Sequence, residues 1–236
     1  MLYLCAMRVI FIFLLVYCVA CSKESSSLDG RVVGTITDTN GQPLSGVKVI
    51  IDNSIFFNSN LSSSSNAQGQ YSIAISNGSW YAFAVYEKVY HNRKFKLYLH
   101  PDKEEGFTGE GAKRDFQWKL TGHKAHPLSG YYGGLVTIDN YPGVYIDAKE
   151  IEFTFTPEGP LIDGSVGATH VRKAVDGHQI QDIPIGQYRV HASYNGQRLR
   201  LRQWNTDAAF APQILLDFVP QIDGQCDNCF KLEYNQ

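Results

Sequence analysis

The sequence predicts an all-β protein built from two tandem β-sandwiches that follow an exported N-terminal segment. Three observations predict it: an apolar run that ends shortly before residue 21, stretches in which polar and apolar residues alternate, and landmarks that recur about one hundred residues further along. Removing residues 1–20 leaves a length that suits one large or two small domains, and the recurring landmarks favour two of about 100 residues each.

The first twenty residues have the layout of a secretory signal. Val9–Val16 is an unbroken apolar run, and Arg8 places a positive charge just before it. A charged start, a short apolar run and a small residue at the cut site are the parts of such a signal. The run is shorter than the ~20 apolar residues that a membrane-spanning helix needs. Translation starts at Met1 or at Met7, and Met7 brings the charge closer to the N-terminus.

The segment ends in Val19, Ala20 and Cys21, which resembles the lipobox of bacterial lipoproteins, with Cys18 where leucine is usual. The resemblance implies cleavage before Cys21, diacylglycerol on its thiol and a third acyl chain, such as palmitate, on its amine. Two or more acyl chains anchor a protein stably to a membrane. An ordinary secretory signal is the alternative. Ser22 is not the aspartate that commonly retains lipoproteins at the inner membrane, so we expect an outer-membrane anchor.

The polar residues after Cys21 are too poor in apolar groups to fold, so residues 21–30 are predicted to form a flexible tether. Beyond them, apolar and polar residues alternate as they do in half-buried strands, with turn sequences between. The clearest alternating stretches are Val47–Ile51, Tyr71–Ile75, Glu150–Phe155 and Arg198–Arg202. Short strands at this spacing are typical of sandwiches.

Four landmarks recur in one order at one rough spacing, which indicates two copies of one module. They are Gly34–Asp38 with Gly134–Asp139, Val47–Asp52 with Glu150–Thr156, Asn77–Phe83 with Ile185–Val190, and Arg114–Phe116 with Leu216–Phe218. The predicted domains are residues 31–120 and 130–236, with 121–129 as a linker.

The first copy opens with Gly34-x-Ile36-Thr37-Asp38-x-Asn40-Gly41-x-Pro43-Leu44-x-Gly46-Val47-x-Val49, and a turn followed by a tyrosine-bearing strand comes later at Ala67–Ile73. This pattern resembles the carboxypeptidase regulatory-like domains over about residues 31–120. The resemblance implies a transthyretin-like (prealbumin-like) Greek-key β-sandwich. It implies no peptidase activity, because the family takes its name from a non-catalytic domain attached to zinc carboxypeptidases. The second copy shares only a looser Gly-x-Tyr strand, so its transthyretin-like fold is an extrapolation.

The charge and the cysteine content limit which partners and which cellular compartment are expected. The formal net charge of −2 lacks the basic excess of a general polyanion binder, so no nucleic-acid partner is expected. Cys226 and Cys229 are the cysteines left after Cys21. In an oxidising compartment a local disulfide is the favoured interpretation, and a free pair or a metal or redox site are the alternatives.

No catalytic constellation emerges from the sequence. His123 and His126 lie in a Gly/Pro-rich linker without a nearby carboxylate, so they are not expected to hold a metal. Asp163–Gly167 matches a nucleophile elbow only in part, because glycine is required where Asp163 stands. We therefore expect no enzyme activity, no cofactor and no metal.

Arg198, Arg200 and Arg202 form a first group of candidate ligand-binding residues. They alternate with leucines and are expected on one strand face, where they would meet an anionic glycan, a lipid headgroup or a partner protein. The alternative is a solvated face that pairs with acidic residues on the neighbouring strand.

Aromatic residues form a second group of candidates. Trp204 follows the arginine strand, and Tyr131 and Tyr132 lie in a glycine-rich stretch. Exposed aromatic rings stack on sugars or anchor protein partners, whereas core packing is the alternative for each of them.

The expected function is that of a non-enzymatic, lipid-anchored outer-membrane protein that binds surface glycans or serves in adhesion or scaffolding. One alternative is a structural subunit of a secretion or fimbria-like envelope assembly, and another is a hydrolase with an unrecognised site. The binding function predicts an aromatic-lined surface, the assembly function predicts an open and uncharged sheet edge, and the hydrolase predicts a pocket that joins an acid, a base and a nucleophile.

Overall fold

The computed structural model describes residues 28–222 and 224–236. The predicted signal peptide, Cys21 and most of the tether lie outside these residues. Regular structure in the described part is almost entirely β, and its one helical element is the 3₁₀ turn Ala148–Glu150. That part of the chain has no helix with the length and apolar character needed to cross a membrane.

The first half of the chain forms two five-stranded sheets. Their strands are β1 (Arg31–Thr37), β2 (Lys48–Asn53), β3 (Asn60–Ser64), β4 (Gln70–Ala74), β5 (Ser79–Tyr90), β6 (Arg93–Tyr98), β7 (His100–Pro101), β8 (Phe107–Thr108), β9 (Gly111–Lys113) and β10 (Phe116–Gln117). One sheet has the order β4-β1-β10-β7 with β9 also paired to β1, and the other has the order β3-β2-β5-β6 with β8 also paired to β5. The pairs of β1 with β10 and with β9 are parallel, and the others are antiparallel.

The second half of the chain forms two more five-stranded sheets. Their strands are β11 (Gly134–Asn140), β12 (Glu152–Pro157), β13 (His170–Arg172), β14 (Gln179–Ile183), β15 (Gln187–Tyr194), β16 (Gln197–Arg198), β17 (Arg200–Gln203), β18 (Ile214–Asp217), β19 (Val219–Ile222) and β20 (Cys226–Asn235). The orders are β14-β11-β20-β17 with β19 also on β20, and β13-β12-β15-β16 with β18 also on β15. Here β11 and β20 form the parallel pair.

The two halves share one topology. Each strand from β1 to β10 has its counterpart ten strands later, and counterparts hold the same place in their sheets. The exception is β19, which pairs with the last strand of its half, whereas β9 pairs with the first. The predicted all-β fold with two tandem sandwiches is confirmed.

Three of the four recurring landmarks fall on counterpart strands, namely β1 with β11, β2 with β12, and β5 with β15. The fourth pairing is wrong. Arg114–Phe116 leads into β10, whereas Leu216 lies on β18, the counterpart of β8. Phe116 and Phe218, the residues matched in this landmark, are both buried, so the local similarity reflects a shared burial pattern rather than a shared place in the fold.

Glycine occurs on the first strand of each sandwich, though at different positions, because another group occupies the space of a side chain there. A Cβ on Gly34 would lie 1.8 Å from the carbonyl oxygen of Arg114, and one on Gly134 would lie 2.4 Å from the ring of Phe218. Glycine inside a strand often marks such a close approach. The absence of a side chain lets β10 pack over the core of the first sandwich and the Phe218 ring pack over the core of the second.

Hydrogen bonds join the hairpin between β5 and β6 to the second sandwich. The Arg93 guanidinium donates to Oδ2 of Asp217 at 2.8 Å and to the carbonyl oxygen of Phe218 at 3.0 Å. The Tyr90 hydroxyl donates to the carbonyl oxygen of Pro160 at 2.8 Å. Strand β6 also runs beside β19, so the two sandwiches share a contact surface in addition to the linker.

Candidate binding groove

A cleft of about 260 Å³ lies where the linker meets the second sandwich, and we call it the junction cleft. Its walls come from the linker, the first residues of β11 and β20, and the end of β14. The lining includes Lys124, Tyr131, Gln181, Asp182, Asp227 and Asn228.

Asp182 fastens the linker to β14 and so shapes the cleft. Its carboxylate accepts hydrogen bonds from the backbone N–H of Gly122 at 2.8 Å and of Gly133 at 3.2 Å. The backbone N–H of Tyr132 in turn donates to the carbonyl oxygen of Gly122 at 2.9 Å. The linker and the residues that follow it, up to Gly133, therefore form an ordered strap, in which Tyr131 lines the cleft and Tyr132 is buried.

Tyr131 separates the junction cleft from a second depression of about 510 Å³. Its ring packs against the imidazole of His123, with 4.3 Å between ring centroids. Tyr131 and Gln181 line both depressions, so the two form one continuous surface. The second depression also includes Arg172, Lys173, Val175, Asp176 and Gln179. We call the combined feature the binding groove.

Asn228 brings an unsatisfied acceptor to the junction cleft. Its side-chain amide donates from Nδ2 to the carbonyl oxygen of Lys96 in the first sandwich, at 3.1 Å. That acceptor fixes the orientation of the amide, since only the NH₂ end can donate. The residue is only 8% exposed, and its Oδ1 has no hydrogen-bond donor among the described residues. Buried polar atoms nearly always have a partner, so this unpaired oxygen is an exception in the wall of the cleft.

Lys124, Asp182 and Asp227 are the charged residues of the cleft, and with Arg172, Lys173 and Asp176 the groove has three charges of each sign. Burial lowers the pKa of the Lys124 ammonium, and the nearby carboxylate of Asp227 partly counteracts that effect. Lys124 also lies over the ring of Tyr98, with its Nζ 5.3 Å from the ring centroid. A site with balanced charge suits a neutral, polar ligand better than a polyanion.

Contacts within the protein hold the second depression in shape. The Asp176 carboxylate accepts hydrogen bonds from the backbone N–H of His178 at 2.8 Å and of Gln179 at 2.7 Å, and these bonds lower its pKa. Lys173 forms an ion pair of 2.8 Å with Glu150. The carboxylate and the ammonium thus support the walls rather than acting as free reactive groups.

The groove does not assemble a nucleophile with a base. Its described lining contains no serine, threonine or histidine. Its one cysteine, Cys226, is joined to Cys229 by a disulfide with an S–S distance of 2.02 Å. No group of three His, Cys, Asp or Glu residues in the described ranges is arranged to hold a metal ion. The groove offers hydrogen bonds and an aromatic wall, which are features of a binding site.

The structure separates the two adjacent tyrosines that the sequence grouped together. Tyr131 lines the groove, but Tyr132 is buried, so its expected role in ligand binding is wrong. The Tyr132 hydroxyl accepts a hydrogen bond from the backbone N–H of Ala125 at 3.2 Å and lies 3.1 Å from Nδ1 of His100. Burial raises the pKa of this hydroxyl to about 12.

The three candidate arginines do not share one strand face. Arg198 ends β16, which pairs with β15, whereas Arg200 and Arg202 belong to β17, which pairs with β20 in the other sheet. The chain changes sheets at the buried Leu199. Arg202 is also committed to the protein, because it forms a 2.7 Å ion pair with Glu233, its register partner on β20.

Trp204 lies away from the groove as well. Its backbone N–H donates to the carbonyl oxygen of Lys231 at 3.0 Å, and the ammonium of Lys231 lies 3.7 Å from the centroid of its ring. Lys231 thus covers part of the aromatic surface that was expected to stack on a sugar. Neither Trp204 nor the three arginines line the groove.

No protein-family model and no curated protein matches the chain. Among solved structures, the chain is similar to the Bacillus anthracis TIE protein, with 12% identity and a TM-score of 0.33, over 86% of this chain and 34% of that one. It is also similar to the major pilin subunit BcpA of Bacillus cereus (9% identity, TM-score 0.25, 88% of this chain and 99% of the pilin). A DUF3823 family protein from Bacteroides uniformis matches with 10% identity and a TM-score of 0.24, over 81% of this chain and 100% of that one. The chain spans about a third of the TIE protein.

Proposed function

We propose that the protein is a non-enzymatic, lipid-anchored module of a bacterial cell envelope that binds an oligosaccharide in the groove on either side of Tyr131. The lipobox-like sequence that ends at Cys21 supports the anchor and an outer-membrane location. The groove supports the ligand class.

The observation that carries the proposal is the groove itself, in which Tyr131 stands among side chains that donate and accept hydrogen bonds. A sugar hydroxyl both donates and accepts, so a hydroxyl in the cleft can accept a hydrogen bond from Lys124 and donate one to an acceptor of the lining. A ligand with several hydroxyls can also use Asp227 and Gln181, since carboxylates accept and amides do both. Dense and adjacent hydroxyls distinguish a saccharide from a simple amine or acid.

Tyr131 adds the apolar part of the recognition. One face of a sugar ring carries C–H groups that pack on an aromatic ring, and Tyr131 stands between the two depressions. A ligand that fills both depressions passes over this ring. The continuous surface therefore favours a chain of sugar units over a single monosaccharide.

A glycan array probed with the full chain tests the proposal, and titration calorimetry then quantifies any glycan found. Replacing Tyr131→Ala removes the stacking surface and is expected to weaken binding roughly tenfold, because such contacts contribute about 1 kcal/mol. Tyr131→Phe keeps the ring and should bind within about a factor of two or three of the original chain. Tyr145→Ala removes an exposed tyrosine that does not line the groove and is the matched control. A blank array, or equal losses from Tyr131→Ala and Tyr145→Ala, would contradict the proposal.

A second candidate function, as a structural subunit of an envelope assembly, is favoured by one edge strand. Strand β3 pairs with β2 on one side and with no other described strand. Its sequence, Asn60–Ser64, has no charged residue and no proline, and most of it is exposed. Edge strands usually carry charge or proline to prevent pairing with other chains, so this edge is open to strand addition.

The hydrogen-bond pattern defines which backbone groups that edge offers. Asn53 donates to the carbonyl oxygen of Ser59, and Ser65 donates to that of Val47. In an antiparallel ladder the residues alternate between the two sides, so every second residue from 60 to 64 directs its backbone N–H and C=O outward. Ser62→Lys places a charge at the centre of this edge and should abolish a co-purifying complex. Gln117→Lys, at an exposed position of β10, which is paired on both sides, is the control and should retain it. The assembly function fails if both variants keep the same partners.

A further inference from the structure

The loop that joins β2 and β3 presents three adjacent apolar side chains to solvent. Ile55 is 68% exposed, Phe56 is 66% exposed and Phe57 is fully exposed. Asn53 holds this loop in shape, because its Oδ1 accepts hydrogen bonds from the backbone N–H groups of Ile55 at 2.9 Å and Phe56 at 3.0 Å. The apolar tip is therefore presented by a defined turn, and we call it the apolar loop. Adjacent exposed apolar side chains of this size mark an interaction surface.

The surroundings of the apolar loop in the sequence carry no charge. Residues 53–86 contain no Asp, Glu, Lys, Arg or His, in a chain where charged residues make up 19%. The loop itself carries amide and hydroxyl groups such as those of Asn58 and Ser54, and Lys48 and Asp52, one charge of each sign, line the same depression as Phe56 and Phe57. A tip without charged residues of its own is compatible with the headgroup region of a bilayer, whereas charged groups within the tip would cost free energy.

The apolar loop lies at the end of the first sandwich where the tether enters it. The carbonyl oxygen of Gly30 accepts a hydrogen bond from the backbone N–H of Ile75 at 2.8 Å. The short turn after Ile75 leads directly to Ser79, whose carbonyl oxygen accepts hydrogen bonds from the N–H and Oγ of Ser54 at 2.9 and 3.0 Å. Gly30 and the apolar loop are thus connected through one short turn at one end of the molecule.

The length of the tether sets how far this end can stand from the membrane. Leu28 is seven positions after Cys21, and an extended chain spans at most ~3.5 Å per residue, so the distance of Leu28 from the anchored cysteine is at most about 25 Å. A lipid on Cys21 therefore keeps the apolar loop within reach of the bilayer surface.

We propose that the apolar loop inserts into the surface of the membrane to which Cys21 is anchored. This inference rests on the proposed lipid anchor. With the lipid it gives the protein two separated membrane contacts, which fix its orientation rather than only its distance. Strand β5 runs from Ser79 beside the loop to Tyr90 at the junction with the second sandwich, a length of roughly 35 Å at about 3.3 Å per residue. The binding groove is thereby held away from the bilayer and toward the space where a glycan would be met.

The test uses the full, lipidated chain reconstituted into phosphatidylcholine vesicles. Phe57→Cys is labelled with an environment-sensitive NBD fluorophore, and Val89→Cys with the same label is the matched control. Val89 is similarly apolar and 64% exposed, but it lies near the other end of β5. Cys226 and Cys229 are disulfide-bonded and do not react with the label. Nitroxide-bearing lipids are expected to quench the label at position 57 several-fold more than the label at position 89, with a blue shift at position 57 alone.

Mass spectrometry of the N-terminal peptide separates the two proposals. If Cys21 carries lipid and the two labels are quenched equally, the apolar loop does not enter the membrane, while the anchor stands. If Cys21 carries no lipid, the anchor proposal fails, and the loop proposal fails with it. If the label at position 57 is shielded from water in the absence of vesicles, the loop docks on protein instead, and the membrane proposal is overturned.

Discussion

Replacing Gly34 by alanine tests the close approach that closes the first sandwich. The added Cβ would lie 1.8 Å from the carbonyl oxygen of Arg114 and 2.9 Å from the ring of Tyr71. Because Cβ atoms essentially never approach other heavy atoms within 3.0 Å, β1 and β10 would have to separate by more than an ångström. Both neighbouring groups are buried parts of the sheet and have little room to move.

The loss of stability follows from the hydrogen bonds that this separation of the strands breaks. The backbone N–H of Arg114 donates to the carbonyl oxygen of Val33, and that of Trp118 donates to the carbonyl oxygen of Thr37, both at 2.9 Å. Each such bond contributes about 1 kcal/mol, and overpacking alone costs typically 1–3 kcal/mol. We therefore expect the free energy of unfolding to fall by about 4 kcal/mol, a large part of the stability of an ordinary domain.

Urea unfolding of the chain from Leu28, followed by tryptophan fluorescence, measures this loss. Trp80 and Trp118 are buried in the first sandwich and report on its unfolding. Gly159→Ala is the matched control, because no atom lies within 4 Å of the added Cβ and its φ is not left-handed, so its effect should stay within about 0.5 kcal/mol. If Gly34→Ala and Gly159→Ala unfold at the same urea concentration, the packing of β10 against β1 is wrong.

Three further predictions concern the interior, the junction and the groove. Burial, reinforced by the charge of Lys119, lowers the pKa of His100 in the folded protein. The neutral form therefore contributes stability that is fully present above about pH 6.5, the usual pKa of histidine, and is lost as the pH falls through the lower folded-state pKa. Replacing His100→Gln should make the free energy of unfolding less dependent on pH between pH 7 and pH 5. A double-mutant cycle of Arg93→Met and Asp217→Asn should give a coupling of about 1 kcal/mol, a modest value because the Arg93 side chain is 39% exposed. Trp204→Ala should leave glycan affinity unchanged in calorimetry, and a loss comparable to that of Tyr131→Ala would place the ligand elsewhere.

The sequence predicted the fold well where a residue pattern has a single structural explanation. Alternating apolar residues at Val47–Ile51 and Glu150–Phe155 mark half-buried strands in both sandwiches. Gly34 and Gly134 recur because the first strand of each sandwich is approached too closely for a side chain. The fourth landmark failed because a buried apolar residue is required at many places of a sandwich, so Phe218 resembles Phe116 without being its counterpart.

The site was predicted less well because its geometry depends on contacts far apart in the sequence. Tyr131 and Tyr132 are chemically the same, and only the strap that Asp182 ties to β14 decides which ring faces the groove. Asn228 becomes an unsatisfied acceptor only because Lys96, from the other sandwich, fixes the orientation of its amide. No local pattern encodes a contact of that kind. Arg202 follows the alternative given for the arginines, since it pairs with the acidic Glu233 on the neighbouring strand.

The parallel pairing of the first and last strands has a consequence for how the protein forms. In the second sandwich, Leu135 pairs with Cys229 and Asn140 with Tyr234, so the ladder joins residues more than ninety positions apart. Neither strand can find its partner through a hairpin, and closing so long a loop costs entropy before any bond is gained. Folding dominated by such distant pairings is slow, on the order of milliseconds to seconds. In a chain exported N-terminus first, each core would stay incomplete until the last strand of its sandwich had crossed the membrane. During that interval the exposed apolar strands would depend on protection from aggregation.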